Sequence, residues 1–165
     1  MPGKVILICG KIGSGKSHYA EKLKSTMNAL LLSCDELTQT LFPSGLGEQH
    51  DEMTARIKAY LYQKATEAAD AGADTILEFG FWSKQERKDV SALFTDGGVD
   101  FEWHYVSVSD EDWRENIRER NHSIQAGASR GYYVDEGLMK KLLSQFEEPG
   151  RDEVNVWYSN RRSEV

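Results

Sequence analysis

An α/β fold, with a parallel sheet covered by helices on both faces, is predicted by three features of this sequence. Short apolar runs alternate with longer amphipathic ones along the whole chain, the pattern of strands joined by crossover helices. The first run, Val5–Cys9, is continuously apolar, as suits a strand buried on both faces. A glycine-rich segment, Gly10-Lys11-Ile12-Gly13-Ser14-Gly15-Lys16-Ser17, joins that run to a helical pattern. The chain has 165 residues, 39% hydrophobic and 28% charged. That is room for a single globular domain, 1–165, with a substantial core.

The elements follow in order. A helix starts near Lys16, with Tyr19, Ala20, Leu23 and Met27 at helical spacing. The second strand is Ala29–Ser33. Ser33 and Glu36 form an S-x-x-E capping box that opens a short helix. Pro43, Gly45 and Gly47 make Phe42–Gln49 a loop. A long helix spans about Asp51–Ala71, with Met53, Ile57, Tyr60, Leu61, Ala65 and Ala68 inward and Gly72 as its stop. Thr75–Phe79 is the third strand, and Lys84–Thr95 a helix ended by Asp96-Gly97-Gly98. Phe101–Val108 is the fourth strand. A second capping box, Ser109 and Asp112, opens a helix to about Arg120. Asn121–Tyr133 lacks periodicity and reads as a loop. Asp135–Phe146 is a helix with Leu138, Met139, Leu142, Leu143 and Phe146 inward, and Val154–Trp157 a fifth strand.

Composition excludes several roles. The formal net charge is −7, which disfavours tight duplex nucleic-acid binding, because phosphate neutralisation needs a basic footprint. No apolar run approaches the roughly 20 residues that span a bilayer, and the apolar start is too short for a secretory leader. A cytoplasmic protein is expected, with no membrane partner. Cys9 and Cys34 form no C-x-x-C pair, so buried small hydrophobes are the simpler reading than a metal or disulfide.

The segment Gly10–Ser17 matches G-x-x-x-x-G-K-[ST] completely and sits between a strand and a helix, as this phosphate-binding loop requires. Glycines let the backbone curl so that successive N–H groups point at phosphate oxygens. The helix N-terminus adds its positive dipole end. Lys16 supplies a point charge for the β- and γ-phosphates, and Ser17 a hydroxyl for Mg²⁺. The expected ligand is therefore a nucleoside triphosphate with Mg²⁺, either ATP, as a kinase would use, or another triphosphate, cradled by Gly10, Lys11, Ile12, Gly13, Ser14, Gly15, Lys16 and Ser17. A GTPase would need a guanine-reading N-K-x-D motif, and no Asn-Lys pair occurs. A ring-forming ATPase would be longer and end a strand in Asp-Glu, where this chain has Leu77-Glu78.

With these residues in place the chain resembles the small P-loop kinases related to zeta toxin, polynucleotide kinase and chloramphenicol phosphotransferase. The resemblance spans about Val5 to Glu153. It rests on Gly10–Ser17, on Ser33-Cys34-Asp35-Glu36-Leu37, and on Leu77-Glu78-Phe79-Gly80-Phe81-Trp82-Ser83. It continues through Arg118-Glu119-Arg120-Asn121 to Phe146-Glu147-Glu148-Pro149 and Glu153. It implies a P-loop NTPase three-layer sandwich, a five-stranded parallel sheet in the order 2-3-1-4-5, and a lid over the nucleotide. It also implies transfer of the γ-phosphate to a hydroxyl of a small molecule. Where the third strand of that group often ends in Asp, this chain has Glu78, a candidate both for the acceptor side and for holding the metal through water.

Asp35 lies just past a strand end, where ligands gather in open α/β sheets. The resemblance implies that it meets the acceptor hydroxyl, which a carboxylate can orient and deprotonate. The alternative is a helix-start residue favoured by the dipole. Arg120 is seven residues beyond Trp113 and shares its face with Ile117, so a partner such as phosphate is expected there. Arg118 is a second candidate, and helix C-terminal capping is the alternative for both. Arg130, between Gly127 and Gly131, is a nucleotide candidate within the lid, 121–133. Phe81 and Trp82, with Phe79, either stack on a ring of the acceptor or pack in the core. Competing functions are a nucleic-acid end or nucleotide-sugar kinase and a non-catalytic ATP-binding regulatory protein.

Overall fold

In the computed structural model, residues 1–129 and 133–162 are described. The strands are β1 (Lys4–Cys9), β2 (Leu30–Leu32), β3 (Thr75–Gly80), β4 (Asp100–Val108) and β5 (Val156–Asn160). The helices are α1 (Lys16–Met27), α2 (Cys34–Leu41), α3 (His50–Asp70), α4 (Lys84–Asp96), α5 (Asp110–Gln125) and α6 (Glu136–Gln145). The sheet order is β2-β3-β1-β4-β5, and every pairing is parallel.

Alternation along β1 sorts the core into two faces. Val5, Leu7 and Cys9 point to one side, where Ala65 and Ala69 of α3 and Val90 and Phe94 of α4 cover them. Ile6 and Ile8 point to the other, against Tyr19 and Ala20 of α1. The side chains of Val5, Ile6, Leu7, Ile8 and Cys9 are at most 1% exposed, and each buried aliphatic contributes about 1.5–3 kcal/mol. The central strand is thus fixed, and the loop after it inherits that rigidity.

The capping residues read from sequence take their places: Ser33 and Ser109 accept from the N–H groups of Glu36 and Asp112. Ser83, not singled out in the sequence, caps α4 in the same way, accepting from the N–H of Glu86. Four expectations need correction. Tyr60 is 55% exposed. The buried stripe of α3 steps by four through Ile57, Leu61, Ala65 and Ala69, drifts around the helix and leaves Tyr60 behind. Tyr62 packs inward instead, against Phe79 and Phe94. Leu143 is 39% exposed, because Met139 and Leu142 carry the inner face of α6. The fifth strand lies two residues later than Val154 and ends at Asn160. Finally, α5 continues to Gln125, so Asn121–Gln125 is helix and not loop. Buried Asn121 holds this extension, bonding both the carbonyl oxygen and the N–H of Val134 (2.7 and 2.8 Å).

Candidate functional site: the phosphate loop and its surroundings

The segment Gly10–Gly15 turns between β1 and α1 at the carboxyl edge of the sheet. Gly13 and Gly15 adopt φ of 75° and 98°, a region open to glycine and costly for other residues. A side chain on Gly13 would meet Ile117, and one on Gly15 would stand 2.3 Å from Asn160 Nδ2. The carbonyl oxygens of the loop are tied from outside. Trp113 Nε1 donates to Ile12 (2.6 Å), Asn116 Nδ2 to Gly13 (3.0 Å) and Asn160 Nδ2 to Ser14 (2.8 Å). Lys16 Nζ donates to the Lys11 carbonyl (2.9 Å). Lys11 itself sits over the Trp113 ring, 4.4 Å from its centroid.

Charges converge on this loop. Burial holds the Lys16 ammonium below its ordinary pKa, and Arg120 pushes the same way, while the nearby carboxylates of Glu78 and Asp35 oppose them. Ser17 Oγ donates to Glu78 Oε1 at 3.3 Å. Burial raises the Glu78 carboxyl above its usual range; Asp35 adds to this, and Lys16 and the Ser17 bond counter it. Ser17 and Glu78 thus stand in contact beside the loop, and the charges of Asp35, Glu78 and Arg120 all act on Lys16. Asp35 stands exposed in the first turn of α2.

These residues fit a nucleotide triphosphate with magnesium. Ser14 Oγ is buried inside the loop with no hydrogen-bond partner among the described residues. Among those residues no group of three His, Cys, Asp or Glu could hold a metal. The Ser17 hydroxyl and the Glu78 carboxylate are oxygen donors of the kind that suit Mg²⁺, which keeps several waters and binds through phosphates and one or two protein oxygens.

Other expected residues are placed elsewhere. Phe81 is fully buried, so its reading as an acceptor-stacking ring is corrected to core. Gly80 and Phe81 both have positive φ (84° and 49°), and this double turn throws the Phe81 ring against Trp103, 4.9 Å away and edge-on. Trp82 is half-buried and packs against the Trp113–Ile117 cluster. Arg118 is not brought to the loop. Its side chain is 75% exposed and paired with Glu115 at 2.9 Å, beside an open depression of about 790 Å³ that Arg161 and Arg162 also line. Arg130 lies outside the described residues.

Sequence reasoning missed the roles of Trp113, Asn116, Arg87 and Asn160 here. Trp113, Asn116 and Ile117 share one helical face, so a polar Asn on an apolar stripe was the available signal. Arg87 precedes buried Val90 and Phe94 on α4 in the same manner. It is 3% exposed, donates to the Phe81 carbonyl (2.9 Å) and pairs with Glu153 (3.5 Å). It thereby braces the corner after β3. Cys9 Sγ donates to the same carbonyl, and burial pushes its thiol up to about 12. Asn160 carried no signal, since its strand end was misplaced.

A family model described as an AAA domain, AAA_33, matches residues 5–149. Among solved structures, a candidate kinase of Chloroflexus aurantiacus aligns with a TM-score of 0.75 at 17% identity, covering 96% of this chain and 88% of that one. The APS kinase of Mycobacterium tuberculosis, in complex with AMPPNP and APS, aligns at 0.68 and 20% identity, covering 98% and 91%. A gluconokinase of Sinorhizobium meliloti aligns at 0.64 and 14% identity, covering 98% and 85%. At such identities the likeness is one of fold, and the fold is the P-loop NTPase sandwich in the expected strand order. No curated protein matches the chain. No helix among the described residues is long and apolar enough to cross a membrane.

Proposed function

We propose that this chain, which belongs to the AAA_33 family of P-loop domains, is a kinase that moves the γ-phosphate of Mg·ATP to a hydroxyl of a small molecule. The observation that carries the reading is the glycine loop after β1, with Gly13 and Gly15 at positive φ, Lys16 Nζ on the Lys11 carbonyl and Ser17 Oγ on Glu78.

The roles divide by position. The loop N–H groups and Lys16 hold the phosphates and meet charge that grows on them during transfer. Magnesium, when bound, neutralises phosphate charge; Ser17 and, through water, Glu78 are the residues to hold it. Asp35 orients the acceptor hydroxyl. As the acceptor oxygen bonds to the γ-phosphorus, the bond to the β–γ bridging oxygen breaks, and the hydroxyl proton passes to the Asp35 carboxylate. Arg120, with Arg130 from the segment after α5, is the candidate to cover the phosphates. The net charge of −7 supports a small acceptor over a duplex nucleic acid.

A panel of hydroxyl compounds, each incubated with protein and γ-labelled ATP, tests the proposal. Label should move to at least one compound with the natural chain and to none with Lys16→Ala, which also binds Mg·ATP more weakly. Unchanged affinity and turnover in that variant count against the reading.

A further inference from the structure

We infer that Trp113, Asn116 and Asn160 are positioning residues of the phosphate loop, and that Arg162 acts on the loop through Asn116; this rests on the nucleotide reading above. Three consecutive carbonyl oxygens, those of Ile12, Gly13 and Ser14, each accept one side-chain donor from outside the loop. The peptide unit is planar and trans, so an oxygen held outward turns the following N–H to the opposite side. Fixing the Ile12 and Ser14 oxygens therefore turns the Gly13 and Gly15 amides inward, toward a bound phosphate. The third amide, that of Ser14, closes the turn on the Lys11 carbonyl at 3.1 Å.

The donors come from rigid parts. The Trp113 side chain is fully buried, Asn116 is one helical turn further along α5, and Asn160 ends β5, paired with Val108. Gly15 lacks a side chain where Asn160 reaches the loop, so the glycine serves this contact as well as its own φ. Asn116 is held in turn. Arg162 Nη1 donates to its Oδ1 at 2.7 Å, and the other Arg162 nitrogen pairs with Glu119. Accepting from Arg162 at Oδ1 leaves the Asn116 amide nitrogen facing Gly13, which sets its orientation. The stretch Asn160–Arg162 thus belongs to the nucleotide site, although Asn160 lies 146 residues along the chain from Ser14 and outside the motif that defines the loop.

Calorimetric titration of ADP tests this at a temperature well below every variant's melting transition. Trp113→Phe keeps the ring and removes the donor; Asn116→Asp keeps the shape and removes the donor; Asn160→Ala removes the group. Each is expected to weaken ADP binding about 3–10-fold, the scale of one neutral hydrogen bond. Arg162→Ala should weaken it about 2–3-fold, and Arg162→Lys, which can still donate to Asn116, should restore it. A merely structural role would lower melting temperatures and leave the ADP affinity of folded protein unchanged, which overturns the inference. Should a core variant fail to fold, the Arg162 pair decides, because that side chain is at the surface. A natural chain that binds no ADP removes the nucleotide reading and this inference together. A natural chain that binds, with variants that bind equally, removes this inference alone.

Discussion

The two sides of the site are built differently. On the phosphate side, every carbonyl from Lys11 to Ser14 has a side-chain donor, and the loop leans on fully buried Trp113 and Ile117. On the proposed acceptor side, Asp35 stands exposed on α2, an eight-residue helix that follows the three-residue edge strand β2. The turn beyond it contains Gly45 and Gly47, at which an added side chain would meet nothing within 4 Å. A phosphate is the same in every nucleotide, so a rigid, pre-set cradle serves it. An acceptor varies between enzymes, and variable recognition belongs on edge elements and loops carried by a fixed scaffold.

Asp35→Asn gives the largest effect that divides these sides. It should leave Mg·ATP binding nearly intact and reduce phosphotransfer by roughly 10²–10⁴-fold, the scale of positioned acid–base help. Asn keeps the size and accepts a hydrogen bond but cannot take the hydroxyl proton. As a helix-start residue Asn would serve as well as Asp, so full activity returns Asp35 to a structural role. A large loss of ATP affinity places Asp35 on the metal and merges the two sides. Single-turnover transfer and equilibrium binding, measured on the same protein, separate these outcomes.

The same contrast governs what could be read from sequence. The succession of strands and helices, the caps Ser33 and Ser109 and the loop were legible because they depend on local pattern: apolar runs, S-x-x-E or S-x-x-D spacing and a contiguous motif; the strand order came only with the family resemblance. The placement of Lys16 and Asp35 was legible because each follows a strand at the same sheet edge. The donors to the loop carbonyls were not. Asn160 meets Ser14 only after the whole sheet has formed, and no spacing rule links positions so far apart. Phe81 misled for a similar reason. Its aromatic character fitted a ligand edge, but two successive residues with positive φ turn its ring inward, and nothing in Phe79-Gly80-Phe81 announces the second. Asn121–Gln125 lacked apolar periodicity, yet it stays helical because one buried Asn side chain replaces the missing apolar contact.

A middle-sized effect concerns how firmly α1 is fastened behind the loop. Tyr19 on α1 and His104 on β4 share a 2.8 Å hydrogen bond at Nδ1, and His104 Nε2 meets Glu102 at 3.1 Å. Burial holds the His104 pKa below 6.5, although Glu102 pulls it up. Lys4, followed by His104, keeps the Glu102 carboxyl below its usual range, so Glu102 stays charged while His104 titrates. The unfolded chain therefore takes a proton at His104 before the folded one does. Stability from this group is present above pH 6.5 and is lost as pH falls toward the folded pKa, with a slope of at most about 1.4 kcal/mol per pH unit. Hydrogen exchange across this window should show α1 loosening as pH falls, with α2 unchanged. His104→Gln should flatten the response. Equal loosening of α1 and α2 would mean the two sides melt as one unit and would erase the contrast.

The smallest expected effect tests the outer face of the helix that clamps the loop. Arg118 and Arg120 are two residues apart on α5 and so point in different directions. Arg120 is close enough to Lys16 to lower its pKa, whereas Arg118 is exposed and pairs with Glu115 one turn back. An exposed i,i+3 pair contributes about 0–1 kcal/mol, usually at the low end. Arg118→Ala should therefore change Mg·ATP affinity by less than about twofold and leave the melting temperature nearly unmoved. Arg120→Ala, on the inner face, should lower affinity and turnover, since it removes a charge beside the phosphates. The pair works as an internal control, because both substitutions delete one arginine from the same helix and change net charge equally. A loss in Arg118→Ala that matches the loss in Arg120→Ala would show that nucleotide binding draws the outer face of α5 into the site. The phosphate side would then be a part that moves on binding, and the contrast with the acceptor side would have to be drawn elsewhere.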